Sequence, residues 1–150
     1  MTSEKLMKGS VFIGGIITLG FGVYHFLVPS LYWAGYMTSL PDELVRAILA
    51  TNFFLSLSLS ILGAFTLIIA RRWTNDKLTR LWVWIMSGLW VVRAAYQVVY
   101  PQGQLIPGLA VIMEVLFILT ALCFLIPAMT MGWRSRKKSK PAVLKDRPDT

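Results

Sequence analysis

Four ionisable side chains, His25, Arg46, Arg93 and Glu114, stand with two amides, Asn52 and Gln97, inside long apolar runs of this chain. Two of them carry opposite charge and are symmetrically placed. Arg93 lies seven residues before Tyr100, where one run ends, and Glu114 lies seven residues after Pro107, where the next begins. If the two runs are antiparallel helices, both charges sit about 10 Å below the same membrane face at 1.5 Å rise per residue. An isolated charge at that depth costs on the order of 2.5–3.5 kcal/mol on insertion scales. The spacing therefore predicts an Arg93–Glu114 pair. Such a pair either holds two helices in register or anchors a polar pocket for a small ligand or a lipid headgroup, with Arg93 as its main contact. Proton handling by Glu114 and His25 is a third use of the same groups. Should Arg46 reach the same interior, the site carries a net +1 and favours an anionic or electron-rich guest; should it snorkel to the headgroups, the interior is neutral.

Enzyme patterns are not met. One histidine cannot supply paired axial haem ligands, and no metal-ligand cluster accompanies it. No nucleophile, base and orienting group share a plausible spacing, and Glu114 has no second intramembrane carboxylate for acid–base work. Cys123 is the only cysteine and lacks a partner thiol for exchange. The glycine-rich first run follows no strand, so it is not a phosphate cradle. The residues point to binding or to an accessory subunit, with no metal site.

The elements that must position these groups follow from composition. Of 150 residues 56% are hydrophobic and 15% charged, against about 45–50% and 25% for soluble domains. Apolar runs of membrane-spanning length predict an all-α, four-helix transmembrane bundle with spans over 8–28, 44–70, 77–100 and 107–131, and a basic, disordered tail over 132–150. Pro29 should end the first span, Pro107 should open the fourth, and Pro127 should kink it. Ser39 is positioned to cap the second span, with Asp42 and Glu43 complementing its dipole. Ser10, Gly14, Thr18 and Gly22 recur every four residues in the first span, as do Asn52, Ser56, Ser60 and Ala64 in the second; both read as small-residue faces for close packing. The short Arg71–Asp76 connection implies antiparallel packing of spans two and three.

Formal net charge is +8, and 13 of the 15 Lys and Arg lie up to the opening residue of the first span, between the second span and the first turn of the third, or after the fourth. A nucleic-acid surface would not divide its charge this way. Basic segments stay cytoplasmic, which predicts both termini on that side of a plasma membrane. All five tyrosines fall at the opposite end, while Trp73, Trp82, Trp84 and Trp133 fall at the basic end, as interface belts do. Arg134, Arg136, Lys137, Lys138 and Lys140 would contact anionic lipid headgroups. Expected partners are membrane lipids, and a protein subunit or a second copy.

Over residues 9–127 the chain resembles the small DoxX-like four-helix membrane proteins. The resemblance rests on Gly20-Phe21-Gly22-Val23-Tyr24 with Pro29 following, on Glu43-Leu44-Val45-Arg46-Ala47, and on Arg93 and Glu114. The chain departs from that pattern after Arg46, where Ala47–Asn52 replaces an aromatic residue and paired glycines. What the resemblance implies is a plasma-membrane bundle; by analogy with relatives in a quinone-linked complex, it also implies a quinone as a possible cofactor. An oligomeric small-solute transporter is the other alternative.

Overall fold

The computed structural model describes residues 3–74, 76–103 and 106–138, with side chains in the last segment to Gly132. All regular structure among them is helical: α1 (Ser3–Val28), a π-helical turn (Pro29–Trp33), α2 (Ala34–Met37), α3 (Asp42–Arg71), α4 (Lys77–Val99) and α5 (Leu109–Lys138). Four helical stretches, Ser3–Met37, Asp42–Arg71, Lys77–Val99 and Leu109–Gly132, are long and apolar enough to cross a membrane. Their surface agrees with that use. Phe54, Val92 and Val111 project outward, whereas Thr18, Asn52, Ser56, Ser87, Gln97 and Thr120 are buried. Burying the polar groups and exposing the apolar ones is what a lipid solvent favours, because van der Waals fit and interhelical hydrogen bonds hold the helices together.

Helix α1 organises the bundle. It packs along α3 and against α5, and α4 packs on α5; it also reaches α4, where Trp90 Nε1 donates to Thr18 Oγ1 at 3.1 Å. Both four-residue ladders twist off a single face, for a geometric reason. At 100° per residue, twelve residues turn a helix by about 120° beyond whole turns. Ser10 and Gly14 thus meet α5, at Cys123 and Phe124, while Gly22 meets Ser60 of α3. On α3 the same drift leaves Ala64 exposed. Gly63, eleven residues from Asn52 and so only about 20° round, takes its place against the Leu19 backbone.

Both internal prolines are accommodated without ending a helix. The sequence predicts that Pro29 closes the first span; instead the chain continues through it as a π-helical turn into α2. Proline lacks the N–H that would bond to the carbonyl four residues back and crowds that carbonyl, here that of His25. Asn52 Nδ2 on α3 donates to His25 O at 2.8 Å. Pro127 lies inside α5 and likewise deprives Cys123 O, to which Ser10 Oγ on α1 donates at 2.8 Å. In both places a neighbouring helix supplies the missing donor, which is how membrane helices tolerate proline.

The ends differ from expectation in detail. Pro41 occupies the N-cap of α3 and Ser39 does not cap; its hydroxyl donates to Tyr36 O. Asp42 and Glu43 do occupy the first turn. α5 begins at Leu109 rather than Pro107, after Gly108 at φ +80°. Residues 132–138, expected to begin a disordered tail, continue α5. Spans two and three touch mainly through Trp82, whose ring lies 4.6 Å from that of Phe65 and whose Nε1 donates to Thr66 Oγ1.

Asp76 caps α4. It accepts the Thr79 backbone N–H at 2.7 Å and the Thr74 hydroxyl at 3.0 Å, and these bonds, the first above all, hold its carboxyl below the usual aspartate range. A depressed carboxyl contributes stability in full above its unfolded pKa, about 3.9, and loses it as pH falls through the folded value. The melting-temperature gap between wild type and Asp76→Ala should therefore narrow between about pH 6 and about pH 3. A constant gap would show that the cap's charge is irrelevant.

Candidate functional site

At the end of the bundle bearing the tyrosines, two cavities meet. The larger, about 940 Å³, lies between α1, the π-turn and the start of α5, with Tyr24, Tyr32, Trp33 and Met113 in its wall. The smaller, about 410 Å³, lies between α3 and α4, with Leu59, Trp90, Val92 and Arg93 around it. Phe21, His25, Leu55 and Gln102 border both. The walls are aromatic and aliphatic with a few polar groups, the usual make-up of a small-molecule site.

Arg93 does not pair with Glu114. Its Nη2 donates to Gln102 Oε1 at 2.6 Å, its guanidinium lies 4.2 Å above the centre of the Phe117 ring, and its buried Nη1 has no partner among the described residues. The relative height of α4 and α5 agrees with the residue count to within one turn, since Phe117 lies three residues along α5 from Glu114. Rotation does not agree, because residue counting sets height and says nothing of facing. Glu114 sits about 60° round α5 from Phe117, partly exposed, and borders neither cavity. The stacked ring contributes a cation–π attraction of about 0.5–2 kcal/mol, which with Gln102 stands in for the carboxylate.

Gln97 is 1% exposed. Its Nε2 faces two carbonyls, those of Gln102 at 3.1 Å and Ala110 at 3.4 Å, which settles the amide orientation and leaves Oε1 buried without a partner among the described residues. Arg93 and Gln97, one turn apart on α4, thus both hold Gln102. Gln102 ties the 100–108 connection to the side chains of α4.

His25 borders both cavities. Its Nδ1 lies 2.9 Å from Phe21 O, an acceptor only, so Nδ1 carries the proton and Nε2 of the neutral ring is an acceptor. Tyr24 and Tyr32 join hydroxyls at 2.9 Å at the rim. Asn52 borders the larger cavity, but its amide is committed to His25 O. Arg46 is exposed and borders neither cavity, so it does not reach the interior beside Arg93. Arg134, Arg136, Lys137 and Lys138 lie on the helical extension of α5; Lys140 lies outside the described residues. Of the six candidates, then, His25, Asn52 and Arg93 border the cavities, Gln97 braces them from behind, and Glu114 and Arg46 lie apart. Gln102 was missed, and its only signal was a polar side chain in a connection otherwise read as a passive link.

These contacts imply a thermodynamic pattern opposite to that of an Arg93–Glu114 pair. The effects of Arg93→Ala and Glu114→Ala on unfolding should add to within about 0.5 kcal/mol, whereas Arg93→Ala and Gln102→Ala should couple by about 0.5–3 kcal/mol. Detergent-solubilised variants unfolded by denaturant would measure both cycles, and coupling to Glu114 alone would restore the ion pair. Comparison with family models, with curated proteins and with solved structures finds no match to this chain.

Proposed function

We propose that this multi-pass membrane protein binds a small amphiphilic molecule in the adjoining cavities at its tyrosine-bearing end and performs no chemistry on it, acting as a binder or an accessory subunit. The observation that carries this reading is the meeting of two apolar-walled cavities at His25 and Gln102, beside an arginine with an unpartnered buried N–H. Apolar walls accept a hydrocarbon or ring body, and Arg93 and His25 Nε2 offer a donor and an acceptor to a polar head.

Native mass spectrometry in lipid nanodiscs tests it. The expected spectrum retains a small-molecule adduct, and Met113→Trp, which fills the larger cavity, diminishes it. No adduct, together with no thermal shift from a panel of amphiphiles, overturns the reading. Turnover of a quinone analogue by the purified chain would replace binding with redox chemistry, and a retained protein partner would mark an accessory subunit.

We further propose that the cavity end faces away from the cytoplasm of a plasma membrane, with both termini inside. The distribution of basic residues supports this orientation. In a Cys123→Ala background, an impermeant thiol reagent applied to intact cells should label Ser39→Cys and spare Ser3→Cys; the reverse pattern inverts the orientation.

A further inference from the structure

The smaller cavity opens sideways. α3 and α4 approach through Trp82, Phe65 and Thr66 near their short connection, while their backbones pack mainly on α1 and α5. Towards the other end the space between them is the 410 Å³ cavity, with Leu55 and Leu59 on one side and Val92 and Tyr96 on the other. Val92 is 69% exposed and Tyr96 49%, so this mouth faces outward from the bundle, where lipid would lie. At the back, Arg93 is held by Gln102 on one nitrogen and by Phe117 on one face, and its Nη1 is left over. No acidic side chain borders either cavity among the described residues.

Resting on the binding reading above, we propose that the α3–α4 gap is a lateral portal for a single-chain acid dissolved in the bilayer, whose carboxylate takes Arg93 Nη1 while its chain lies along Leu55, Leu59 and Val92. Three features select this occupant. An intramembrane guanidinium without a carboxylate favours an anion. One guanidinium nitrogen left without an acceptor matches one compact head, and a carboxylate forms the charge-assisted bond that Arg makes best. A sideways, apolar mouth admits a guest from the hydrocarbon phase, whereas a soluble anion would have to cross it unsolvated.

The test uses the full chain in phosphatidylcholine nanodiscs, with palmitate, methyl palmitate and acetate as probes. Palmitate should bind at one per chain, and methyl palmitate about tenfold more weakly or worse, having lost the charge-assisted bond. Acetate at the same concentration should not compete. Arg93→Gln should reduce palmitate binding to the level of the ester. Val92→Trp should narrow the mouth and weaken palmitate binding without disturbing the core, since Val92 points outward. Equal binding of acid and ester overturns the anionic head yet leaves an amphiphile site in place. Competition by acetate, or wild-type palmitate binding in Val92→Trp, overturns the lateral portal. If neither acid nor ester binds, the proposal falls, and the broader amphiphile panel decides separately whether the cavities hold anything. Should Arg93→Gln fail to fold, the comparison of acid with ester on the wild-type protein still decides.

Discussion

Gly63→Ala and Gly22→Ala should each unfold or severely destabilise the bundle, whereas Gly88→Ala should leave it unharmed or slightly firmer. A Cβ on Gly63 would meet the Leu19 backbone, including Cα at 2.6 Å, and one on Gly22 would meet the Ser60 backbone nitrogen and, at 2.9 Å, the Leu59 carbonyl carbon. Backbone cannot rotate away as a side chain does, so the two helices must separate. Overpacking of this kind costs about 1–3 kcal/mol, occasionally more, and here it strikes the α1–α3 crossing on which the other contacts of α1 depend. Gly88, also mid-helix, has nothing within 4 Å of its would-be Cβ. Alanine there gains about 0.5–1 kcal/mol from helix propensity. The three variants share one chemical change and differ only in what the methyl meets. Thermal or denaturant unfolding in detergent would rank them. Equal effects at Gly63 and Gly88 would show that propensity, not close approach, governs both.

Gly63 also shows where sequence reading stops. The four spans were legible because lipid demands long apolar runs, and run length survives any arrangement of neighbours. Small residues on α1 and α3 were legible as packing residues too. Which of them meets which helix was not, since a spacing of four drifts round the axis and a one-residue choice between Gly63 and Ala64 decides the face. The site divides in the same way. Arg93 stood out as an intramembrane charge, and its height relative to α5 came within one turn. Its partner depended on rotation and on the path of the 100–108 connection, neither of which leaves a periodic trace. Gln102 is nine residues from Arg93 and beyond the helix end, so no helical spacing links them. His25 and Asn52 were legible as polar residues on neighbouring spans, but their relation was hidden. Pro29 reads locally as a stop, whereas in the structure the chain runs on through a π-turn and His25 O takes a donor from another helix.

That donor carries the second large effect. Asn52→Leu should cost about 1–3 kcal/mol, the penalty for leaving the partly buried His25 carbonyl without a hydrogen bond; leucine has room there because Asn52 borders the larger cavity. The same substitution made on Pro29→Ala should cost markedly less, because residue 29 then carries an N–H able to reach His25 O, the ordinary helical bond. The coupling between positions 29 and 52 should thus approach the whole cost of Asn52→Leu in wild type. Ser10→Ala and Pro127→Ala should repeat the pattern about Cys123 O. The crossed pairs, Ser10 with Pro29 and Asn52 with Pro127, share no carbonyl and should be additive to within about 0.5 kcal/mol. Four cycles measured by unfolding in one detergent therefore separate a specific rescue of proline-stripped carbonyls from a general gain on removing proline. If all four couplings are alike, the two interhelical bonds are incidental to how the prolines are tolerated. If only the matched pairs couple, the π-turn that frames the larger cavity is held in shape by Asn52. The binding site then inherits its form from a hydrogen bond between α1 and α3 rather than from the sequence of the turn itself.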